Sequence, residues 1–164
     1  MQNNHLLIKV NEILELCHKY QIKIRTVESC TGGALAHLFT QLPGSSEHFD
    51  RGIVAYSNEA KHELLNIPVD LIEEHGAVSH AIATYMAESL AGSDVISIST
   101  TGILGPKSDK KNTKIGTTYI GVNICSGRTM VRKCIFGGPR NTNHQQVLET
   151  TLDFILPLLK NKMT

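Results

Sequence analysis

Apolar side chains recur every three to four residues at Leu6, Leu7, Val10, Ile13, Leu14 and Cys17, with Lys9, Glu12 and Glu15 between them. That period predicts an amphipathic helix over residues 4–19. Ile22 to Val27 then alternate as a strand, and the turn Glu28-Ser29-Cys30-Thr31-Gly32-Gly33 leads into a second helix with apolar positions at Ala34, Leu35, Leu38 and Phe39. Pro43-Gly44-Ser45-Ser46 is turn chemistry. Gly52 to Tyr56 reads as a short strand, and Ser57-Asn58 can cap the helix carrying Lys61, Leu64 and Leu65. Pro68 can start a short helix that Gly76 ends, and Ser79 opens another through Ala83, Met86, Ala87 and Leu90 that stops near Gly92. Val95 to Thr100 is a third strand, ending in Thr101-Gly102-Ile103-Leu104-Gly105-Pro106. Gly116 to Ile124 and Thr129 to Phe136 flank Ser126-Gly127 as an antiparallel hairpin. Gly137-Gly138-Pro139 breaks that pattern, and Val147, Leu148, Leu152, Ile155 and Leu156 mark a final helix.

Strands alternating with helices, followed by a late hairpin, predict a three-layer α/β/α sandwich with a mostly parallel sheet and an antiparallel hairpin near the C-terminus. A length of 164 residues with 41% hydrophobic content suits one core, so residues 1–164 are expected to form a single domain.

Sixteen Lys plus Arg against fifteen Asp plus Glu leave a net charge of +1, without the electrostatic footprint of a protein that grips many phosphates of a nucleic acid. The one compositional oddity is Lys107 to Lys114, where four lysines lie among polar residues and predict a mobile surface loop. No apolar run approaches the roughly 20 residues that span a bilayer. Met1-Gln2-Asn3-Asn4-His5 lacks the basic start of a signal peptide, so a cytoplasmic location is expected. Cysteines at 17, 30, 125 and 134 form no C-x-x-C pair and are expected as free thiols. The histidines make no H-x-H or H-E-x-x-H pattern that would set two imidazoles on one metal from one element.

In an open α/β sheet, ligands lie beyond the carboxyl ends of the strands, which gathers the loops at Glu28 to Gly33, Tyr56 to Lys61 and Thr101 to Pro106. Gly32 and Gly33 admit close backbone approach to an anion at the start of the following helix, or they serve only a tight strand-to-helix turn. Ser29 and Lys61 are a candidate pair: a lysine kept neutral by burial can take the proton of a serine that attacks a carbonyl. The alternative is a lysine on a solvated helix face. Cys30 is either a second nucleophile or a small buried hydrophobe, and Tyr56 is either a core residue with its hydroxyl at the rim or a partner of Ser29 or Lys61.

These segments, together with Pro43-Gly44-Ser45-Ser46 and Gly76-Ala77-Val78-Ser79, resemble in order and spacing the successive motifs of the CinA C-terminal domain family from about residue 10 to 160. The resemblance implies nicotinamide-nucleotide amidase activity, in which the carboxamide of nicotinamide mononucleotide is hydrolysed to nicotinate mononucleotide and ammonia. It implies no metal or cofactor, a small-molecule nucleotide as ligand, and a homodimer or higher homo-oligomer. Longer family members carry a further N-terminal domain, and the stand-alone form is expected here. Ser29 is implied as nucleophile, Lys61 as its base and Tyr56 as the residue orienting them. Thr31, Gly32, Gly33, Ser46, Thr101, Gly102 and Arg140 are implied as pocket residues.

The sequence departs from the family pattern in two places. A Gly-rich stretch closing in Lys-Pro becomes Lys107 to Lys114, with Thr113 and Lys114 at the Lys-Pro positions. A Gly-Asp-Arg with a second Arg four residues on becomes Gly138-Pro139-Arg140 and His144, which removes a carboxylate and a permanent cation. Both changes fall where a phosphate is expected to be held, which leaves as alternative a non-catalytic member that binds a nucleotide or protein partner. A nucleic-acid accessory role is disfavoured by the balanced charge.

Overall fold

The computed structural model describes residues 2–162; Met1, Met163 and Thr164, the ends of the predicted 1–164 domain, lie outside the described residues. Five strands, β1 (Lys23–Glu28), β2 (Phe49–Val54), β3 (Val95–Gly102), β4 (Thr117–Ile124) and β5 (Met130–Ile135), form one sheet in the order β2-β1-β3-β4-β5. β1 pairs in parallel with β2 and β3, while β4 runs antiparallel between β3 and β5. The predicted sandwich, with its parallel portion and late hairpin, is the observed fold.

Against one face of the sheet pack α1 (Gln2–Tyr20), α2 (Ala34–Thr40) and α6 (Arg140–Lys162), sharing a core with Ile24, Ile96, Ile98, Ile120 and Val122. Against the other pack α3 (Asn58–Leu65), α4 (Val69–His75) and α5 (His80–Glu88), around Val27, Ile67, Ile72, Ile82 and Met86. The small residues of β3 and β4 let α5 come close: Ser99 Oγ donates to the Ala83 carbonyl at 2.6 Å, and a Cβ on Gly121 would lie 2.6 Å from the same oxygen. Helix starts follow local chemistry, with Ser57 and Ser79 side chains accepting from the amides of Ala60 and Ile82.

Among the boundaries that differ from the sequence reading, two have a clear physical cause. β2 begins at Phe49 rather than Gly52, because its polar start, Asp50-Arg51, belongs to an edge strand whose Asp50 is paired with Arg25 at 2.6 Å instead of alternating with apolar residues. α6 begins at Arg140 and continues past Pro157, with Leu152, Ile155 and Leu159 fully buried on either side of it. Burial of this apolar stripe outweighs the loss of one amide donor. No described helix is long and apolar enough to cross a membrane.

Candidate active site

The parallel strands β1, β2 and β3 end side by side, and their pairing runs on past the strand ends: Ser29 N donates to Thr100 O at 2.9 Å and Ala55 N donates to Glu28 O at 2.8 Å. Ser29 therefore leaves the sheet from a fixed position. Gly32 and Gly33 follow with φ of +60° and +94°, a left-handed pair that only glycine adopts without strain, and they turn the chain into α2.

Of the two readings of these glycines, the structure supports the tight strand-to-helix turn and not an anion cradle at the start of α2. Glu28, fully buried, already occupies it: its carboxylate accepts from the amides of Gly33 and Leu35 at 3.0 Å each and of Ala36 at 2.8 Å. The amides of Gly32 and Ala34 are bonded to Ser29 O and Thr31 O. A phosphate has no donors left to claim there. The sequence reading missed this role of Glu28, although a carboxylate at a strand end just before two glycines is the signal that could have shown it.

Lys61 reaches Ser29 from the first turns of α3. Side chains tilt toward a helix N-terminus, which returns the ammonium over the start of α3. Nζ lies 3.0 Å from Ser29 Oγ and 3.1 Å from each of the carbonyl oxygens of Ala55 and Tyr56. Lys61 is 2% exposed and Ser29 7%, which excludes the reading of a lysine on a solvated face. Burial lowers its pKa from 10.5 to about 8. Its hydrogen-bond partners are neutral oxygens, so a substantial neutral fraction exists near physiological pH and the pair can transfer a proton.

The other candidates divide. Cys30 is buried beside Leu104 and Val147, and burial raises its thiol to about 12, so it is packing and not a nucleophile. Tyr56 touches Lys61 through its backbone carbonyl only; its side chain is 59% exposed and its hydroxyl receives a hydrogen bond from Arg140 Nη2 at 3.1 Å. The expected orienting role of the Tyr56 hydroxyl on Ser29 or Lys61 is thus corrected. Thr31 is buried, with Oγ1 2.7 Å from Thr100 Oγ1, and Thr101 Oγ1 donates to the Ala77 carbonyl at 2.7 Å. Both brace the loops instead of facing a cavity. Gly102 lacks room for a side chain, because a Cβ would fall 2.5 Å from Thr118 Oγ1. Ser46 is misplaced in the expected pocket: it lies in a short 3-10 helix (Ser45–Glu47) before β2, at the opposite end of the sheet.

Arg140, in contrast, reaches the loops that flank the pair, though not Ser29 or Lys61 themselves. Its Nη1 donates to the Gly105 carbonyl at 2.7 Å, and with Tyr56, Gly102, Gly105, Lys107 and Asp109 it lines a cavity of about 220 Å³. The neighbouring lysine-rich segment, expected to be mobile, is tied together by Asp109, whose carboxylate accepts from the amides of Lys111 and Thr113 and from the Thr113 hydroxyl. Lys111 Nζ donates to the Glu74 carbonyl at 3.0 Å, fastening the loop to α4. His144 faces away from this cavity, its Nε2 3.0 Å from the Thr31 carbonyl.

Comparison with known proteins gives consistent likenesses. A family model described as the CinA C-terminal domain matches residues 8–159. A CinA-like protein of Fusobacterium nucleatum is 38% identical over 154 residues, covering 94% of this chain and 37% of its own length. One of Leptospira biflexa is 39% identical over 143 residues, covering 85% of this chain and 34% of its own. The chain thus spans little more than a third of these curated relatives. Among solved structures, competence damage-inducible protein A from Klebsiella pneumoniae superposes with a TM-score of 0.89 at 28% identity, over 94% of this chain and 97% of that one. A competence or damage-inducible protein from Enterobacter asburiae gives 0.88 at 28% identity, over 94% and 98%.

Proposed function

The chain belongs to the CinA C-terminal domain family, and from that premise we propose that it hydrolyses the carboxamide of nicotinamide mononucleotide, releasing ammonia and nicotinate mononucleotide. The observation that carries this reading is the buried Ser29–Lys61 contact of 3.0 Å, with the lysine lowered to about 8. Neutral Lys61 takes the hydroxyl proton as Ser29 Oγ bonds to the carboxamide carbon, giving a tetrahedral oxyanion. Collapse of that adduct breaks the C–N bond, and Lys61 returns its proton to the departing ammonia. Water then cleaves the Ser29 ester, with Lys61 again the base, and frees the carboxylate product.

Amides directly after the nucleophile are the natural oxyanion donors, and those of Cys30 and Thr31 are not among the amides held by Glu28. The nucleotide phosphate is assigned to the opposite side, where Arg140 and Lys107 border the 220 Å³ cavity. Tyr56, half out of the protein and bonded to Arg140, orients that guanidinium rather than the reacting pair.

A second reading, a member that binds a nucleotide without turning it over, is favoured by the altered segment before α6: Pro139 and His144 replace a carboxylate and a permanent cation, and His144 is bonded to the Thr31 carbonyl. An ammonia-release assay with nicotinamide mononucleotide beside plain nicotinamide separates the two. The amidase reading expects ammonia from the nucleotide only, and none with Ser29→Ala. Nucleotide binding without ammonia from the wild-type protein would overturn it in favour of the second reading.

A further inference from the structure

The amino end of the sheet, opposite the Ser29–Lys61 pair, holds a second cluster of chemically competent side chains. His18 lies in the last turn of α1, while Glu47 and His48 close the short 3-10 helix that leads into β2. Thirty residues separate the two histidines in sequence, which is why no ligand spacing is visible there. In the fold, Glu47 Oε2 stands 4.0 Å from His18 Nδ1 and 3.9 Å from His48 Nε2. The two imidazoles meet edge to face with centroids 5.3 Å apart, and one ligand atom from each of the three residues lies within 4.8 Å of the others.

We propose that His18, Glu47 and His48 form a binding site for a divalent first-row transition ion, Zn²⁺ foremost, that ties the end of α1 to the entry of β2. The donor set is two imidazole nitrogens and one carboxylate, the borderline-soft combination that zinc takes in three-ligand sites. Tetrahedral bonds of about 2.0–2.1 Å place neighbouring ligand atoms about 3.4 Å apart, so the two Glu47 separations need to close by about half an ångström and the His18–His48 separation, within 4.8 Å, has to close as well. The exposed side chains of His18 and Glu47 are free to turn by that much, whereas His48 is the fixed member.

His48 is 9% exposed, its amide donates to Ser45 O at 3.0 Å, and its carbonyl accepts from Ile24 N at 2.7 Å. The three ligands open into a hollow of about 310 Å³ bordered by Asn11 and Glu15, which leaves room for water or the Glu15 carboxylate as a fourth ligand. Lys23 is the opposing charge beside the cluster, but its Nζ is engaged with the Glu47 carbonyl and blocks none of the three ligand atoms.

The test uses the full, untagged chain stripped with chelator, titrated calorimetrically with ZnCl₂ and followed in parallel by the visible d–d absorption of added Co²⁺. One Zn²⁺ per chain, a tetrahedral cobalt spectrum and a rise in Tm with metal are expected. His18→Gln and Glu47→Gln, both at exposed positions that the core does not need, should each weaken binding about tenfold or more and remove the cobalt bands. His5→Gln, a surface histidine on the other side of α1's length, should change neither. Ammonia release should be equal in wild type and His18→Gln, since His18 lies at the amino end of the sheet and Ser29 at the carboxyl end. Absence of saturable zinc binding, or a His18→Gln protein that binds as wild type does, overturns the proposal.

Discussion

Replacing Lys61 by methionine separates the two things that the buried ammonium does, because it removes the charge while keeping an unbranched side chain of similar length. Lys61 is 2% exposed and meets only the neutral oxygens of Ser29, Ala55 and Tyr56. Its charged form is therefore penalised in the folded state, with the pKa lowered by burial from 10.5 to about 8. Below about pH 8 both folded and unfolded chains carry the proton, and the folded one bears the whole penalty, about 3 kcal/mol. Between about pH 8 and 10.5 the folded chain has released the proton that the unfolded chain still holds, so wild-type stability rises with pH across that window. Methionine has no such dependence. It does strand the carbonyls of Ala55 and Tyr56, an offset of about 1–3 kcal/mol for each buried group left unpaired, so the net change at one pH decides nothing. The difference between the proteins at two pH values does. Urea unfolding of wild type and Lys61→Met near pH 7 and again near pH 10 should show wild type gaining about 2.5 kcal/mol on the variant, all other titrating groups cancelling. A gap independent of pH would refute the claim that Lys61 is buried with its proton affinity depressed.

Three further outcomes follow from the same geometry. With Lys61 as base at about 8, kcat/KM for ammonia release should fall about tenfold per pH unit below 8 and level off above it; a flat profile from pH 6 to 9 would exclude the assignment. Glu28→Gln replaces an acceptor of three amide hydrogens by a group that must point a donor at one of them; urea unfolding should show a loss of about 1.5–3 kcal/mol and the ammonia assay a marked fall in kcat. Arg140→Ala should weaken nicotinamide mononucleotide binding by calorimetry about ten- to a hundredfold, the worth of one charge-assisted hydrogen bond, while hardly affecting plain nicotinamide.

The features legible in the sequence were those with a local physical cause. Ser57 and Ser79 as helix caps and Gly76 as a terminator are decided within a few residues, and the structure places each where the pattern does, whereas the hairpin turn centres one residue early, on Cys125-Ser126. Loops ending at the same edge of a parallel sheet make a Ser29–Lys61 contact available, but the residues alone leave an exposed lysine as the stronger reading, and the family resemblance is what singles the pair out. What stayed hidden depends on distant partners. Glu28 reads as one letter of a turn, since nothing local says that a carboxylate will be fully buried under three amides. The resemblance implies Ser46 in the pocket, and the local turn chemistry of Pro43-Gly44-Ser45-Ser46 holds nothing that shows it to lie at the other end of the sheet. Tyr56 was credited with a hydroxyl contact that its backbone carbonyl makes instead, a distinction set by the side-chain direction at the start of α3 and by Arg140, 84 residues away.

The central claim is a covalent ester at Ser29 formed with Lys61 as base, and hydroxylamine reports on it directly even if the ester never accumulates. Added to wild-type protein turning over nicotinamide mononucleotide, hydroxylamine should intercept the acyl group and divert product to the hydroxamate, with ammonia still released. Ser29→Ala should yield neither. Ammonia release by Ser29→Ala at the wild-type rate, or wild-type turnover from which hydroxylamine draws no hydroxamate, would contradict the account.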